Sequence, residues 1–190
     1  MTFPSGFKLN KIDTGVGVLH LAKPGETSRF TLLHRTDKKY TVERHYAYER
    51  GYSSIPLPGP EFEPYRSHKT LFVDVTQVGL HFLEYIRQVG IQDIVPIVCM
   101  EPQGLNPWEA KPDRDELLFI SLREAEVVVQ LLIDFGRLDL RHYTFGYENK
   151  TEVERALQSF GIEEALKIHP RLHSLAVATL VTEKIESIVQ

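Results

Sequence analysis

Residues 70–98, with the sequence TLFVDVTQVGLHFLEYIRQVGIQDIVPIV, contain the pattern that decides the fold. The apolar run at 70–76 is typical of a buried strand, and the apolar residues between 78 and 89 follow a helical stripe. Gly90 stands where a helix-terminating glycine is expected, and the run at 94–99 predicts a second buried strand. Strand, helix and strand within about 30 residues predict a right-handed βαβ unit whose two strands are parallel.

The residues before this unit predict a three-stranded antiparallel meander. Apolar runs at 17–22, 29–34 and 40–48 are separated by two short polar segments that contain turn-forming residues. Alternation along the third run is typical of a half-solvated strand. One face of that strand is predicted to carry Tyr40, Val42, Arg44, Tyr46 and Tyr48.

A proline-rich segment follows the meander. Four prolines and one glycine within residues 53–68 argue against a regular helix or a central strand. We therefore expect a long surface loop at 53–68, and loops of that length are often functional.

The last third of the chain predicts helices. Ser121 and Glu124 have the spacing of a capping box at the start of a helix that Gly136 ends. A second capping box begins at Thr151, and a last helix is predicted to begin near Pro170. The predicted fold class is α/β: a mixed sheet, made of the meander followed by the βαβ unit, with helices packed on it in one domain spanning the whole chain.

Composition is that of an ordinary globular protein. The 190 residues are 42% hydrophobic and 25% charged, and 22 Lys+Arg against 26 Asp+Glu give a formal net charge of -4. No apolar run reaches the roughly 20 residues that span a bilayer, and the start of the chain has no apolar stretch of signal-peptide length. We therefore expect a cytoplasmic protein that does not contact a membrane. The acidic balance argues against coating of nucleic acid through bulk charge, although a local basic patch would still allow contact with DNA.

The common catalytic motifs are missing from the sequence. It has no P-loop, no G-x-G-x-x-G after a strand, no H-E-x-x-H and no G-x-S-x-G motif, and Gly15-Val-Gly17 alone is too short to indicate a dinucleotide site. The single cysteine, Cys99, excludes a disulfide framework and a cysteine-based zinc cluster. Its position within an apolar run predicts an inert core residue.

Asp74 is the one acidic residue inside the apolar run at 70–76. It is predicted to lie near the carboxyl end of a parallel strand, where α/β sheets usually place their ligands. A buried carboxylate is costly there unless a metal, a cation or backbone donors meet it. Spacing alone leaves two interpretations open: a functional residue, or a cap for a helix that starts near Gln77 or Val78.

The eight histidines do not by themselves indicate a metal site. His169 and His173 have the i, i+4 spacing of a helical metal clamp, but Pro170 between them places His169 outside the predicted helix. Each histidine taken alone is interpreted as a surface or hydrogen-bonded residue.

Several segments together resemble one protein family. They are 17–22 (GVLHLA), 29–33 (RFTLL), 71–79 (LFVDVTQVG), 94–98 (IVPIV), 122–132 (LREAEVVVQLL), 136–138 (GRL) and 174–178 (SLAVA). In this order the chain resembles the nuclease domain of the large terminase subunit of tailed bacteriophages, which has a ribonuclease H-like fold. The most specific part of the resemblance is the strand-to-helix junction V-D-x-T-x-V-G at 73–79.

The resemblance implies acidic residues on three elements. In that family, acids on the first strand, on the strand matching 71–76 and at the start of the last helix hold divalent metal ions that activate water for phosphodiester cleavage. In this chain only Asp74 matches. The first-strand position falls at Leu19 or His20, and the last-helix position falls at His173.

These replacements change the metal that the resemblance implies. Mg²⁺ prefers oxygen ligands, so one carboxylate with two imidazoles is a poor magnesium site. A cluster of Asp74, His20 and His173 would instead suit Zn²⁺, Mn²⁺ or Fe²⁺. Asp13 is the alternative first-strand ligand if that strand begins earlier, and an active Mg²⁺ or Mn²⁺ site would then be centred on Asp74.

Three functional hypotheses follow. The leading one is a ribonuclease H-like domain, phage or prophage related, that has lost its cleavage acids, needs no cofactor and acts by binding a protein partner or nucleic acid. The second is an active metal-dependent DNA endonuclease in which Asp74 works as the catalytic residue with Asp13 or with a glutamate such as Glu124 or Glu126. The third is a structural or assembly subunit with no role on nucleic acid. None of them specifies an oligomeric state.

The binding hypothesis predicts specific contact residues. Phe62 and Tyr65 are expected on the exposed surface of the loop at 53–68, where they would contact a partner. A phosphate backbone would be reached by the basic residues Arg137, Arg141 and Arg171, whose plainer interpretation is a solvated helix rim.

Overall fold

The structure, a computed structural model, describes residues 15–37, 39–57, 59–67, 69–100, 117–139 and 172–189. The strands in this part of the chain are β1 (Gly15–His20), β2 (Ser28–Thr36), β3 (Lys39–Tyr48), β4 (Leu71–Asp74), β5 (Ile94–Met100), β6 (Leu118–Ser121) and β7 (Leu138–Asp139). The α-helices are α1 (Glu63–Ser67), α2 (His81–Gln88), α3 (Leu122–Asp134) and α4 (Leu172–Val189).

The described strands form one mixed sheet in the order β6-β5-β4-β1-β2-β3-β7. β1, β2 and β3 pair antiparallel in sequence, so the predicted meander is confirmed. β4 pairs parallel with both β1 and β5, and this confirms the predicted βαβ unit. β2 is the only described strand that runs against the others, and β1 therefore has one antiparallel and one parallel neighbour.

The helix of the βαβ unit begins later than predicted. After β4 the chain first makes a tight turn, in which the carbonyl of Val75 accepts hydrogen bonds from the amides of Val78 (3.2 Å) and Gly79 (2.8 Å). Gly79 has φ +83°, which only glycine adopts easily, and α2 starts at His81. The glycine predicted to end this helix is confirmed, because Gly90 has φ +100°.

Helices cover both faces of the sheet. α3 and α4 pack on one face with alternate residues of the strands, and α1, α2 and two short 3-10 turns pack on the other. α4 is buried on nearly all sides from Leu172 to Thr182, because it lies across β1 and β2 and also packs against α3. No helix in the described ranges is both long and apolar enough to span a membrane.

The proline-rich segment is not the exposed loop that the sequence predicted. It contains 3-10 turns at Gly51–Ser54 and Pro60–Phe62, followed directly by α1. Phe62 and Tyr65 are buried in the core, so their predicted role as an exposed contact surface is wrong. Prolines exclude a helix interior but suit the first turn, where the missing N–H costs nothing, and Pro60 occupies such a position.

The residues predicted to share one face of β3 do not share it along the whole strand: Tyr40 and Val42 are buried, whereas Arg44 and Tyr46 are exposed. A bulge in the pairing with β2 skips Glu43, because Leu33 pairs with Val42 while Leu32 pairs with Arg44. The extra residue reverses the alternation, so His45 is buried after the bulge and Arg44 is exposed.

The predicted start and end of α3 are both confirmed. Ser121 caps α3, because its Oγ accepts a hydrogen bond from the amide of Glu124 (3.3 Å), and Gly136 with φ +62° follows the helix. The positions that lie outside the described residues are Asp13, Arg141, Thr151, His169, Pro170 and Arg171.

Candidate metal centre

The sheet register brings His20 and Asp74 side by side. His20 ends β1 and Asp74 ends β4, and the two residues are direct partners in the parallel pairing of these strands. Successive side chains of a strand point to opposite faces, and Val18 and Phe72, two positions earlier, belong to the core beneath α4. His20 and Asp74 therefore face α4 from the carboxyl ends of their strands.

α4 supplies the third member of the cluster. His173 is the second residue of α4, and its Nε2–H donates to Oδ2 of Asp74 at 3.0 Å. The Nδ1–H of His20 donates to the same oxygen at 2.7 Å. The centroids of the two imidazole rings are 4.8 Å apart, and the three potential ligand atoms all lie within 4.8 Å of one another.

The second carboxylate oxygen of Asp74 is held by the turn that follows β4. Its Oδ1 accepts hydrogen bonds from the amide (3.0 Å) and the hydroxyl (2.5 Å) of Thr76. The hydroxyl oxygen of Thr76 in turn accepts from the amide of Cys99 at 2.8 Å. Asp74 is thus both a turn cap, through Oδ1, and a member of the cluster, through Oδ2. It caps the turn at Thr76 rather than a helix at Gln77 or Val78.

Asp74 is 1% exposed, yet its surroundings favour the charged form. Burial alone would raise the pKa of this carboxyl, but the charge of His20 and the hydrogen bonds from His173 and His20 hold the pKa well below its usual range. The cluster therefore centres on a buried carboxylate anion.

Cys99 borders the cluster as a neutral neighbour. Its Sγ lies 3.6 Å from Oδ2 of Asp74. Burial raises the pKa of the Cys99 thiol well above its ordinary value, and the negative charge of Asp74 raises it further. A protonated buried thiol is a poor nucleophile, which agrees with the sequence-based interpretation of an inert core residue.

The glutamates of the nuclease hypothesis do not join this cluster. In the described ranges, His20, Asp74 and His173 are the only group of three or more potential metal ligands. Glu124, in the first turn of α3, forms an ion pair with Lys184 of α4 instead. Arg137 also lies elsewhere, beside β7 at the far edge of the sheet, with its guanidinium 5.7 Å from the ring centroid of Tyr40.

Thr76 and its link to Cys99 are the part of the site that sequence reasoning missed. The D-x-T spacing is a local signal for this arrangement, since an Asp side chain often accepts from the backbone two residues later. The contact with Cys99 depends on the pairing of β4 with β5 and has no local signal.

The cluster can hold a divalent metal ion, but its donor set does not fit Mg²⁺. Mg²⁺ requires an octahedral shell of oxygen atoms, and here one oxygen and two nitrogens converge. Imidazole and carboxylate together suit Zn²⁺, Mn²⁺ or Fe²⁺. The magnesium chemistry that the terminase resemblance implies is therefore not supported by the described residues.

Comparison with known proteins gives no family assignment for the chain. No protein-family model matches it, and no curated protein sequence matches it.

Proposed function

We propose that the chain is a ribonuclease H-like domain, similar to the terminase nuclease domain, that has exchanged its cleavage acids for histidines and acts by binding. The observation that carries the proposal is the meeting of three elements at one point. These are the first strand of the sheet, β4 and the last described helix, and they present His20, Asp74 and His173 to one another.

The arrangement of the elements supports this proposal. An antiparallel meander followed by a βαβ unit gives a mixed sheet with β1 and β4 adjacent at its centre. The resemblance places acids on these two strands and at the start of the last helix. The second residue of α4 does reach the carboxyl ends of β1 and β4.

The side chains at the meeting point do not supply the ligands that the two-metal cleavage mechanism needs. That mechanism needs two ions held about 4 Å apart by several carboxylates. Among the described residues the site has one carboxylate, and Thr76 already occupies one of its oxygens. A role in binding remains, and the formal net charge of -4 favours a protein partner over nucleic acid.

Plasmid cleavage tests this proposal. Supercoiled plasmid is incubated with the full chain and with Asp74→Asn, in Mg²⁺ and separately in Mn²⁺, after circular dichroism has shown both proteins to be folded. We expect no cleavage that depends on Asp74. Cleavage by the wild type that is lost in Asp74→Asn would contradict the proposal and identify an active endonuclease, with Asp13 as the next residue to change.

DNA binding at two salt concentrations tests the choice of partner. Fluorescence anisotropy with a labelled duplex should show no binding at about 50 mM salt, where phosphate contacts are strongest. Binding that weakens steeply toward about 200 mM salt would replace the protein partner with nucleic acid.

A further inference from the structure

We propose that His20, Asp74 and His173 form a binding site for one divalent transition-metal ion, with Zn²⁺ as the preferred ion. The proposal goes beyond the proposed function, because it rests on these three side chains and not on the resemblance to a nuclease. It also explains why a site that is unsuited to Mg²⁺ still has three potential ligands facing one another.

The directions of the side chains are the first argument. Both imidazole nitrogens aim at the same carboxylate oxygen, at 2.7 Å from His20 and 3.0 Å from His173. To bind an ion, each of these nitrogens gives up the proton that it donates here, either to the other nitrogen of its ring or to water. Zinc binds nitrogen and oxygen at about 2.0 to 2.2 Å, so its tetrahedral ligands lie roughly 3.4 Å apart. To admit the ion, Oδ2 of Asp74 would have to move apart from the nitrogen of His173 by about 0.4 Å and from that of His20 by about 0.7 Å. The three ligand atoms, which lie within 4.8 Å of one another, would all have to settle at about 3.4 Å. The side chain of His173 is 24% exposed and has room for this adjustment.

The support around the ligands is the second argument. Metal-binding carboxylates are usually oriented by hydrogen bonds from outside the site. Oδ1 of Asp74 is fixed by the amide and hydroxyl of Thr76, which leaves Oδ2 turned toward the two histidines. Thr76 is itself fixed by the amide of Cys99 in the neighbouring strand. The carboxylate is therefore positioned before any ion arrives.

The origin of the ligands is the third argument. The three ligands come from three elements that are far apart in the sequence: β1, β4 and α4. His20 is 54 residues and His173 is 99 residues from Asp74. Two histidines with one carboxylate are the protein ligands of several zinc and iron centres. An ion bound here would compensate the buried charge of Asp74 more strongly than two hydrogen bonds do.

Calorimetry with the metal alone tests the proposal. The full chain is freed of metal with a chelator, dialysed, and titrated separately with ZnCl₂, MnCl₂ and MgCl₂. We expect one Zn²⁺ per chain, weaker binding of Mn²⁺ and no measurable binding of Mg²⁺. Replacement of a ligand in His173→Gln should weaken Zn²⁺ binding by more than about 10-fold, since even outer hydrogen-bond partners contribute that much.

The half-buried His34 provides the matched control. Nε2 of His34 lies 3.1 Å from a carboxylate oxygen of Glu43, so this pair also offers one imidazole and one carboxylate, but no third described ligand. His34→Gln should bind Zn²⁺ as the wild type does. The proposal is wrong if the wild type binds no Zn²⁺, if His173→Gln binds it equally well, or if His34→Gln loses it to the same extent. The side chain of His173 is partly exposed, so we expect its variant to fold, and circular dichroism checks this before the titration. The plasmid assay has a separate readout, so either proposal can fail without the other.

Discussion

Gly17 and Tyr65 form the closest steric fit described in the core. A Cβ atom at residue 17 would lie 1.9 Å from the hydroxyl oxygen of Tyr65 and 2.6 Å from its ring carbon Cζ. The ring of Tyr65 thus lies directly over the backbone of β1, on the face opposite α4. This contact explains the glycine of Gly15-Val-Gly17 by packing, with no need for a nucleotide.

Gly17→Ala should therefore destabilise the protein strongly. Overpacking of a core typically costs about 1 to 3 kcal/mol, and the upper end is expected here because the ring of Tyr65 is buried against the ring of Phe30 and cannot move aside. Urea unfolding measures the change. Gly15→Ala is the control, since its Cβ would meet the ring of the half-buried His34 at 2.9 Å, and that side chain can rotate away. Equal losses in the two variants would contradict the steric explanation.

The hydroxyl of Tyr65 gives a prediction of the opposite sign. It is buried and has no hydrogen-bond partner in the part of the chain that the structure describes. A buried polar group without a partner costs about 1 to 3 kcal/mol, so Tyr65→Phe should raise the free energy of unfolding by about 1 kcal/mol. Tyr48→Phe is the matched comparison, because the hydroxyl of Tyr48 donates to Glu61 at 2.7 Å and its removal should destabilise the protein. A loss of stability in Tyr65→Phe would show that its hydroxyl has a partner.

The same tyrosine predicts a response to alkaline pH. Burial raises the pKa of Tyr65 above its ordinary value of about 10, and the charge of Glu43 adds to the increase. A raised pKa in the folded state stabilises the fold fully below pH 10, and this contribution is lost as the pH rises further, because unfolding then releases a proton. Between about pH 10 and 11 the wild type should therefore lose more stability than Tyr65→Phe does. Parallel pH profiles for the two proteins would argue against a buried neutral tyrosine.

At the scale of elements, a small polar network ties α4 to the sheet. The hydroxyl of Thr31 on β2 donates to Oγ of Ser174 at 3.0 Å, and it is also 3.0 Å from Nδ1 of His45 on β3. Both contacts are buried, and Ser174 is the residue that follows His173 in the sequence. The network therefore fixes the rotation of the helix that carries the third cluster residue.

Thr31→Val should destabilise the protein. Valine has nearly the shape of threonine but removes the contacts of the hydroxyl with Ser174 and His45, at about 1 to 3 kcal/mol for buried partners. Urea unfolding measures the loss. Thr31→Val should also weaken Zn²⁺ binding, which calorimetry measures, because His173 would be less well positioned. An unchanged affinity would mean that α4 is positioned by its apolar contacts alone.

At the scale of the whole molecule, the meeting of β1, β4 and α4 at one point can be tested by replacing the histidines of the cluster, so that the site prefers a different ion. The double variant His20→Asp/His173→Asp would place three carboxylates at one point. Without metal their mutual repulsion should lower the melting temperature, and Mg²⁺ or Mn²⁺ should raise it again, since both ions prefer oxygen ligands. The wild type and the control His34→Asp should show no such response to Mg²⁺. If neither ion changed the melting temperature of the double variant, the three elements would not bring these side chains close enough to hold one ion.

Sequence periodicity predicted the meander, the βαβ unit and the position of Asp74, because each depends on neighbouring residues. His20 and His173 became candidates only through the resemblance, since no local pattern connects them. The pairing of His20 with Asp74 depends on the register between two strands 54 residues apart, which packing decides. The bulge at Glu43 and the burial of Phe62 were not predicted, for the same reason. Prolines and the alternation of apolar residues indicate only local conformational preference, whereas contacts with distant residues decide which side chains are buried.

The position of α4 along the chain has a consequence for folding during synthesis. The sheet face that this helix covers is made by β1 and β2, which leave the ribosome more than a hundred residues earlier. Until α4 arrives, that apolar face and the carboxylate of Asp74 lack their main covering element. We therefore expect the nascent chain to be most prone to aggregation before α4 has been made, and a chaperone that shields apolar surface would act at that stage.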